Sequence, residues 1–316
     1  MLLRIVLRQK MSKLTALATA VALVIAPMPA LAQGGGLRVL RDTESEQLLR
    51  EYTRPILRAA GMEKQNIQMV IINESAFNAF VADGRRIFVN YGAIMQSETP
   101  NQIIGVMAHE TGHLAGGHLS KLREQLAAAQ TQMIIAMLLG AGALVAGARS
   151  GTNSGLANVG AAAMSAPQVV IRRTLLSYVR QQEENADRAG VKFLTATGQS
   201  AKGMYETFKR FTNESLFAAR GSDPYVMSHP MPFERIRNLE VNARKSPHFD
   251  KQDKPELMLR HQLIQAKLAG FQESAPAVFR RYPKSDQSLP ARYARAIALY
   301  RQGDIKNALP ILDGLL

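Results

Sequence analysis

Three of the chain's six histidines fall within twelve residues, in the stretch MAHETGHLAGGH from Met107 to His118. His109, Glu110 and His113 form the pattern HExxH. On a helix, positions i and i+4 share a face, so both imidazoles reach one metal ion. Glu110 beside them is placed to hold a water and take its proton. A zinc ion lowers the pKa of such a water toward ~7, which makes hydrolysis feasible at neutral pH. A hydrolytic zinc site also wants a third protein ligand and one open position. Gly116 stands where the pattern HExxHxxGxxH wants glycine, but that pattern wants its third histidine at 119, where the chain has Leu119. If the helix continues through SKLREQL, a turn of about 100° per residue places His118 roughly opposite His109. That reading packs His118 behind the helix, away from the metal.

A better third ligand lies about seventy residues on, in LLSYVRQQEENADRAGVKFL (Leu175 to Leu194). Leu175, Leu176, Val179, Ala186, Gly190, Phe193 and Leu194 share one helical face. Glu183 falls inside that face, about 40° from Val179, whereas Glu184 falls outside it. A carboxylate aimed into a core is costly unless it is paired or metal-bound. Glu183 is therefore expected to complete the site; its competing reading is a buried ion pair with an arginine. Asp187, one turn further, can accept the free N–H of a ligating histidine. Arg235 has three open readings: a pair with Asp187, a pair with Glu183, or the surface.

These residues need elements to hold them. Thr99-Pro100-Asn101-Gln102 is a helix start, with Thr99 as cap, Pro100 in the first turn and Gln102 completing a capping box. TESEQLLREYTRPILRAAG reads as an earlier helix. NIQMVIIN (Asn66 to Asn73) is a β-branched run, and Ala76 to Gly92 alternates around Asp83-Gly84, a hairpin signal. Met133 to Ala148 is almost wholly apolar yet too short to span a membrane. It suits a buried or interfacial helix pair, with burial in the core favoured over membrane contact. A Gly/Ser/Asn-rich loop is expected to run to Ala166, with helix resuming at Ile171.

At 316 residues the chain can bury a full core. It has no cysteine, which excludes disulfides, thiolate ligands and a cysteine nucleophile. Residues 1–32 read as a cleavable signal peptide, with Arg4, Arg8, Lys10 and Lys13 before an apolar run and a small-residue site at Ala30 to Ala32; an uncleaved anchor is the plainer reading. The signal carries four of the +14 formal charges and no acid. The remaining basic residues are scattered, and an exported protein rarely meets nucleic acid, so we exclude that partner. A solvated surface biased toward an anionic membrane or an acidic partner fits better.

Toward the C-terminus, AKLAGFQESAPAVFRRYP and ALYRQGDIKNALPILDGL align at a period of 33 residues, with Gly270 over Gly303 and Ala275 over Ala308. Gly-x-x-x-x-Ala at that period is similar to the tetratricopeptide helix hairpin; any pair of amphipathic hairpins is the plain alternative. Stacked repeats usually number three or more, so the natural protein is expected to continue past Leu316. The expected domains are thus 1–32 signal peptide, 33–250 zinc metallopeptidase and 251–316 tetratricopeptide-like repeats.

HExxH, then Glu-x-x-x-Asp within EENAD, then the His-Pro motif in SHPMPFERI resembles the zinc endopeptidases that include the CAAX prenyl protease and HtpX. The resemblance covers roughly residues 40 to 316. It implies an α+β, mainly α fold: a gluzincin-like domain with a small β-hairpin or sheet, followed by the helical hairpins. It implies one Zn2+ per chain on His109, His113 and Glu183, with Glu110 as general base. It gives His229 a role near the metal, either as a fourth ligand that holds the enzyme latent or as a hydrogen-bond donor in the transition state. A turn leading into a helix is the plain reading of Ser-His-Pro-Met-Pro. With the signal peptide and the repeats, the resemblance implies a Gram-negative periplasmic protease. Its implied partners are unfolded or misassembled outer-membrane β-barrel proteins and the barrel assembly machinery, with peripheral membrane contact near the apolar stretch. The family's membrane-embedded members have spanning helices that this sequence lacks. The hairpin strand near Asn78, Ala79 and Phe80 is expected to offer an edge to an extended substrate. A non-enzymatic adaptor with a structural zinc, and a metzincin-like enzyme using His118, are the competing readings.

Overall fold

The computed structural model describes residues 37–149, 155–217 and 224–315. The expected signal peptide lies outside the described residues. Residues 38–316 pack as one unit.

The chain enters through a short strand β1 (Val39–Leu40) and helix α1 (Thr43–Ala59), capped by Asp42, whose carboxylate accepts the Ser45 N–H at 3.0 Å. Strands β2 (Gln68–Ile72), β3 (Ala79–Asp83) and β4 (Arg86–Asn90) complete a four-stranded sheet of order β1-β2-β4-β3. β2 runs parallel to β4, and β3 is antiparallel to β4 at the edge. The hairpin expected around Asp83-Gly84 forms, but not as a turn that needs a left-handed glycine: positive φ is absent at Gly84. Instead the register shifts between Val81 and Asp83, and the Asp83 side chain accepts the Arg85 N–H at 2.9 Å.

After α2 (Tyr91–Gln96), α3 (Pro100–Gly116) carries the histidine motif. Thr99 is its cap residue in extended backbone, yet makes no side-chain capping bond. Gln102 reaches back past it, and its Oε1 accepts the Glu98 N–H at 2.8 Å. Every residue from Gln102 to Gly112 is buried, so α3 is the central rod of the fold rather than an amphipathic surface helix. Two long helices follow, α4 (His118–Arg149) and α5 (Gly155–Ala196), and α5 packs back across α3. Their contact is close: a Cβ on Gly112 would sit 2.7 Å from the Ala186 carbonyl oxygen. The glycine inside HETGH thus lets α5 approach near enough to present its own acids.

The expectation for the apolar stretch is corrected here in two respects. Gly155 to Ala166 is helix, not loop; its alanines at 157, 161–163 and 166 supply helix propensity that outweighs the scattered glycine, serine and asparagine. Met133 to Ala148 belongs to α4, and its described apolar side chains are not core: Ile134, Ile135, Leu138 and Leu139 are all more than half exposed. Two helices paired chiefly with each other cover only the side chains between them. Among the described residues no helix is long and apolar enough to cross a membrane.

Helices α6 (Lys202–Phe217), α7 (Pro224–Ser228) and α8 (Phe233–Arg244) close the domain around α3. The C-terminal segment forms α9 (Pro255–Gln272), α10 (Ala275–Arg281), α11 (Leu289–Arg301) and α12 (Ile305–Asp313). Ile264, Leu268 and Ala269 of α9 join the main core, while Ala266, Val278, Ala294 and Ala298 form a small second one. The aligned glycines differ in use. Gly270 lies within α9 against Ile297, whereas Gly303 takes φ +79° in the turn between α11 and α12.

Candidate metal centre

His109 and His113 project from one face of α3, and their Nε2 atoms lie 3.0 Å apart. α5 brings Glu183 opposite them, with Oε2 3.4 Å from His109 Nε2 and Oε1 3.3 Å from His113 Nε2. Glu184 points outward to Arg188 at 3.5 Å, as the helical face predicts. The loop after α7 delivers His229, whose Nδ1 is 3.3 Å from His109 Nε2 and 3.1 Å from Glu183 Oε2. One donor atom from each of these four residues falls within 4.8 Å of all the others.

The donor set fits a divalent metal. Zinc bonds of about 2.0–2.2 Å in a tetrahedron set neighbouring ligand atoms about 3.3–3.6 Å apart, close to the observed 3.0–3.4 Å. Three imidazole nitrogens and a carboxylate oxygen converge, and ring nitrogens that face each other repel unless a proton or a metal cation lies between them. Glu110 is fully buried, with neither carboxylate oxygen hydrogen-bonded; His229 Nε2 lies 3.5 Å from Oε1. A bare acceptor beside the cluster is what a water-holding base requires.

Behind the cluster, Asp187 Oδ1 is 2.9 Å from His109 Nδ1, the nitrogen that points away from the other donors. The three readings of Arg235 resolve into two at once. Its guanidinium grips Asp187 with two bonds of 2.7 and 2.9 Å and also reaches Glu183 Oε2 at 2.9 Å. A further N–H bonds the Pro230 carbonyl at 2.9 Å, which ties the His229 loop to the same cation. The buried-ion-pair reading of Glu183 and its place in the donor cluster thus hold together.

These contacts set the charge states. Burial opposes ionisation of Glu183 and Asp187. His229 and Arg235 nevertheless hold Glu183 well below the ordinary range, and Arg235 with His109 holds Asp187 at about 2. Burial pushes Glu110 upward against the pull of His229 and His109. Burial would discharge His109, but Asp187 and Glu183 outweigh it and raise its imidazole to about 9. His113 lacks such a carboxylate behind it, and burial lowers it to about 3.

The placement of His118 is corrected. α3 does not continue through it: Gly117 adopts φ +60° and ends the helix, and α4 starts at His118. His118 is therefore not turned away but lies against His113, Nδ1 to Nδ1, at 2.9 Å. It is not among the four clustered donors. A cleft of about 190 Å³ opens on the site, lined by Phe80, Glu110, His113, His118, Glu183 and His229. Phe80 belongs to β3, the edge strand. Asn90 N–H donates to the Asn78 carbonyl at 2.9 Å, so in this register the pairs Asn78/Asn90 and Phe80/Phe88 carry the ladder bonds. The backbone N–H and C=O of Ala79 and Val81 then face away from β4. Sequence reasoning missed Phe208, whose ring lies under both His109 at 5.2 Å and Arg235 at 5.3 Å. Nothing in its local sequence distinguishes it from an ordinary core phenylalanine.

Three relatives are similar in sequence to this chain. A Vibrio cholerae protein whose name marks it provisionally as a beta-barrel assembly-enhancing protease is 25% identical over 293 residues, 89% of this chain and 58% of its own length. The beta-barrel assembly-enhancing protease of Escherichia coli is 23% identical over 213 residues, 67% of this chain and 41% of its own. The mitochondrial metalloendopeptidase OMA1 of Schizosaccharomyces pombe is 24% identical over 188 residues, 58% of this chain and 49% of its own. The chain spans about half the length of these curated relatives. Residues 41–243, which hold every residue of the cluster together with Asp187 and Arg235, match peptidase family M48. With that match across most of its length, the chain belongs to peptidase family M48.

Proposed function

We propose that the chain is a zinc-dependent endopeptidase of the Gram-negative periplasm that cuts extended segments of misassembled outer-membrane β-barrel proteins and assists their assembly. The observation that carries the catalytic part is the convergence of His109, His113 and Glu183 beside a buried, unbonded Glu110. The names of the bacterial relatives support the barrel-assembly part.

His109, His113 and Glu183 would hold one Zn2+ per chain. Bound there, zinc supplies Lewis-acid polarisation of the scissile carbonyl and of the attacking water. Glu110 takes the proton of that water and passes it to the leaving amine; its upward-shifted carboxyl suits a base that must give the proton back. Asp187 holds the His109 ring in the tautomer that frees Nε2, and Arg235 keeps Asp187 and Glu183 charged.

Of the two roles open to His229, the geometry favours the latent one. Its Nδ1 sits among the donors, at the position hydrolysis needs open. Release of the His229 loop would open the site. A substrate strand would add to β3 through its outward backbone groups at Val81, since Ala79 is fully buried, which gives backbone recognition with little sequence preference. The helical hairpins α9–α12 would serve as tetratricopeptide-like contacts for the assembly machinery. The exposed Ile134, Ile135, Leu138 and Leu139 of α4 would serve as a peripheral membrane contact.

Metal analysis and cleavage of a denatured protein test the central claim on wild type and Glu110→Gln. The variant should keep its zinc and lose cleavage on the order of 10²–10⁴-fold. Full cleavage by Glu110→Gln would end the peptidase reading. Loss of cleavage with intact support of barrel assembly would move the function to the non-enzymatic adaptor.

A further inference from the structure

His118 is the one histidine of the opening motif to which the zinc reading gives no task. We infer that it is a positioning residue for His113, accepting the His113 Nδ1–H so that the tautomer and plane of that imidazole aim Nε2 at the metal. The inference rests on the zinc reading above and deepens it.

The proton inventory sets the direction of the bond. Two ring nitrogens 2.9 Å apart repel unless one carries hydrogen. His113 Nε2 belongs to the donor cluster, 3.0 Å from His109 Nε2 and 3.3 Å from Glu183 Oε1, so its lone pair is committed there. A neutral imidazole with a free Nε2 lone pair carries its proton on Nδ1. His113 therefore donates and His118 Nδ1 accepts. The rings stand nearly perpendicular, at 88° with centroids 4.9 Å apart, so the edge of one ring meets the edge of the other where the nitrogens face.

The backbone is built for this contact. Gly117, at φ +60°, breaks α3 and redirects the chain so that the next residue folds back over the last turn. Gly116 leaves room for the ring: a Cβ there would lie 2.1 Å from His118 Nε2 and 2.5 Å from its Cδ2. Gly-Gly-His is thus one device, a space, a turn and an acceptor. His118 stands outside the four-donor cluster and its Nδ1 is taken up by His113, so it acts through His113. Each HExxH histidine then has its own partner on the far nitrogen, a carboxylate for His109 and a neutral imidazole for His113.

The test is Zn2+ affinity of the full chain, measured by competition with a chromophoric zinc chelator, with circular dichroism as the check on folding. His118→Leu should weaken zinc binding on the order of 10–100-fold, the usual cost of losing an outer partner of a metal-bound histidine. His118→Asn places an amide oxygen where Nδ1 was and should recover most of the loss. His118→Gln, one carbon longer, should recover less. Gly116→Ala, which displaces the ring, should resemble His118→Leu. Wild-type affinity in His118→Leu, or an asparagine variant no tighter than the leucine variant, would overturn the inference. If the leucine variant does not fold, asparagine against glutamine decides, and equal affinities overturn it. Glu183→Ala separates the two levels: if it binds zinc as wild type does, the zinc site itself has been misread.

Discussion

Replacing Arg235 with methionine removes a cation that serves four acceptor contacts from inside the protein. The side chain is 3% exposed and bonds Asp187 twice, Glu183 once and the Pro230 carbonyl once, all between 2.7 and 2.9 Å. Methionine keeps the packing over Phe208 and takes away the charge. Two carboxylates that are 3% and 5% exposed are then left with the His109 imidazole between them in place of the guanidinium. Breaking one side of a buried ion pair costs about 3–5 kcal/mol. For a domain of this size that corresponds to a fall in Tm of roughly 6–20 °C. Zinc should narrow the gap, because the ion neutralises Glu183 directly and leaves only Asp187 to be matched by the His109 N–H. Arg235→Lys should fall between the two: one ammonium cannot present a parallel pair of donors to Asp187 and still reach Glu183. Calorimetric melts of the three proteins, with zinc and with a chelator, read both effects. The reasoning is refuted if Arg235→Met melts within about 1 kcal/mol of wild type in chelator, or if zinc widens the gap.

The other expectations bear on the switch, the edge strand and acid stability. His229→Ala should raise cleavage of a denatured substrate by about 10-fold or more, as expected when the competent form is a minor state of roughly 10% or less; unchanged or lower activity would show that His229 is not a lid. Val81→Pro removes one outward N–H from β3 without touching a ladder bond. Against a Val81→Ala control it should slow cleavage about 2–10-fold, the worth of one backbone hydrogen bond, with zinc affinity intact; equal rates would remove β3 from substrate binding. Away from the metal, His261 of α9 takes the Tyr52 hydroxyl on Nδ1 at 3.3 Å and bonds the Ser97 carbonyl through Nε2 at 2.9 Å. Burial lowers its pKa, only partly offset by the Ser97 bond, so the unfolded chain takes up a proton near its ordinary value of 6.5 before the folded one does. Stability should therefore fall as pH drops below about 6.5, by up to roughly 1.4 kcal/mol per pH unit for this one proton. His261→Gln keeps a donor for Ser97 and has no such proton, so its Tm should depend less steeply on pH between 6.5 and 5; parallel pH profiles would assign the acid loss to other groups.

What could be read in the sequence follows from how far each inference had to reach. Glu183 and Asp187 were legible because helical period and the cost of burying a charge act within one element, and α5 is regular through both. The edge strand was legible as one arm of a hairpin, whose partner is local. The parallel pairing of β2 with β4 was not, since alternation identifies strands but says nothing of which non-neighbours meet. The same limit applies to Arg235, which sits 48 residues from Asp187 and found both acids through the closure of α8 on α5. His118 marks a different boundary. On a straight helix His118 faces away from His109, and two glycines in a row are the signal that this helix does not stay straight. Gly117 in a left-handed conformation costs little where any other residue would be strained, and it converts a rotation of half a turn into a fold-back onto His113. The apolar stretch departs from its composition for the opposite reason: its residues favour burial, but two helices packed chiefly on each other cover only the side chains between them. Ile134, Ile135, Leu138 and Leu139 stay exposed because α4 and α5 are longer than the core they pack on. Hydrophobicity sets what a segment would gain from being covered, and the length of the elements around it sets whether the chain itself can do the covering.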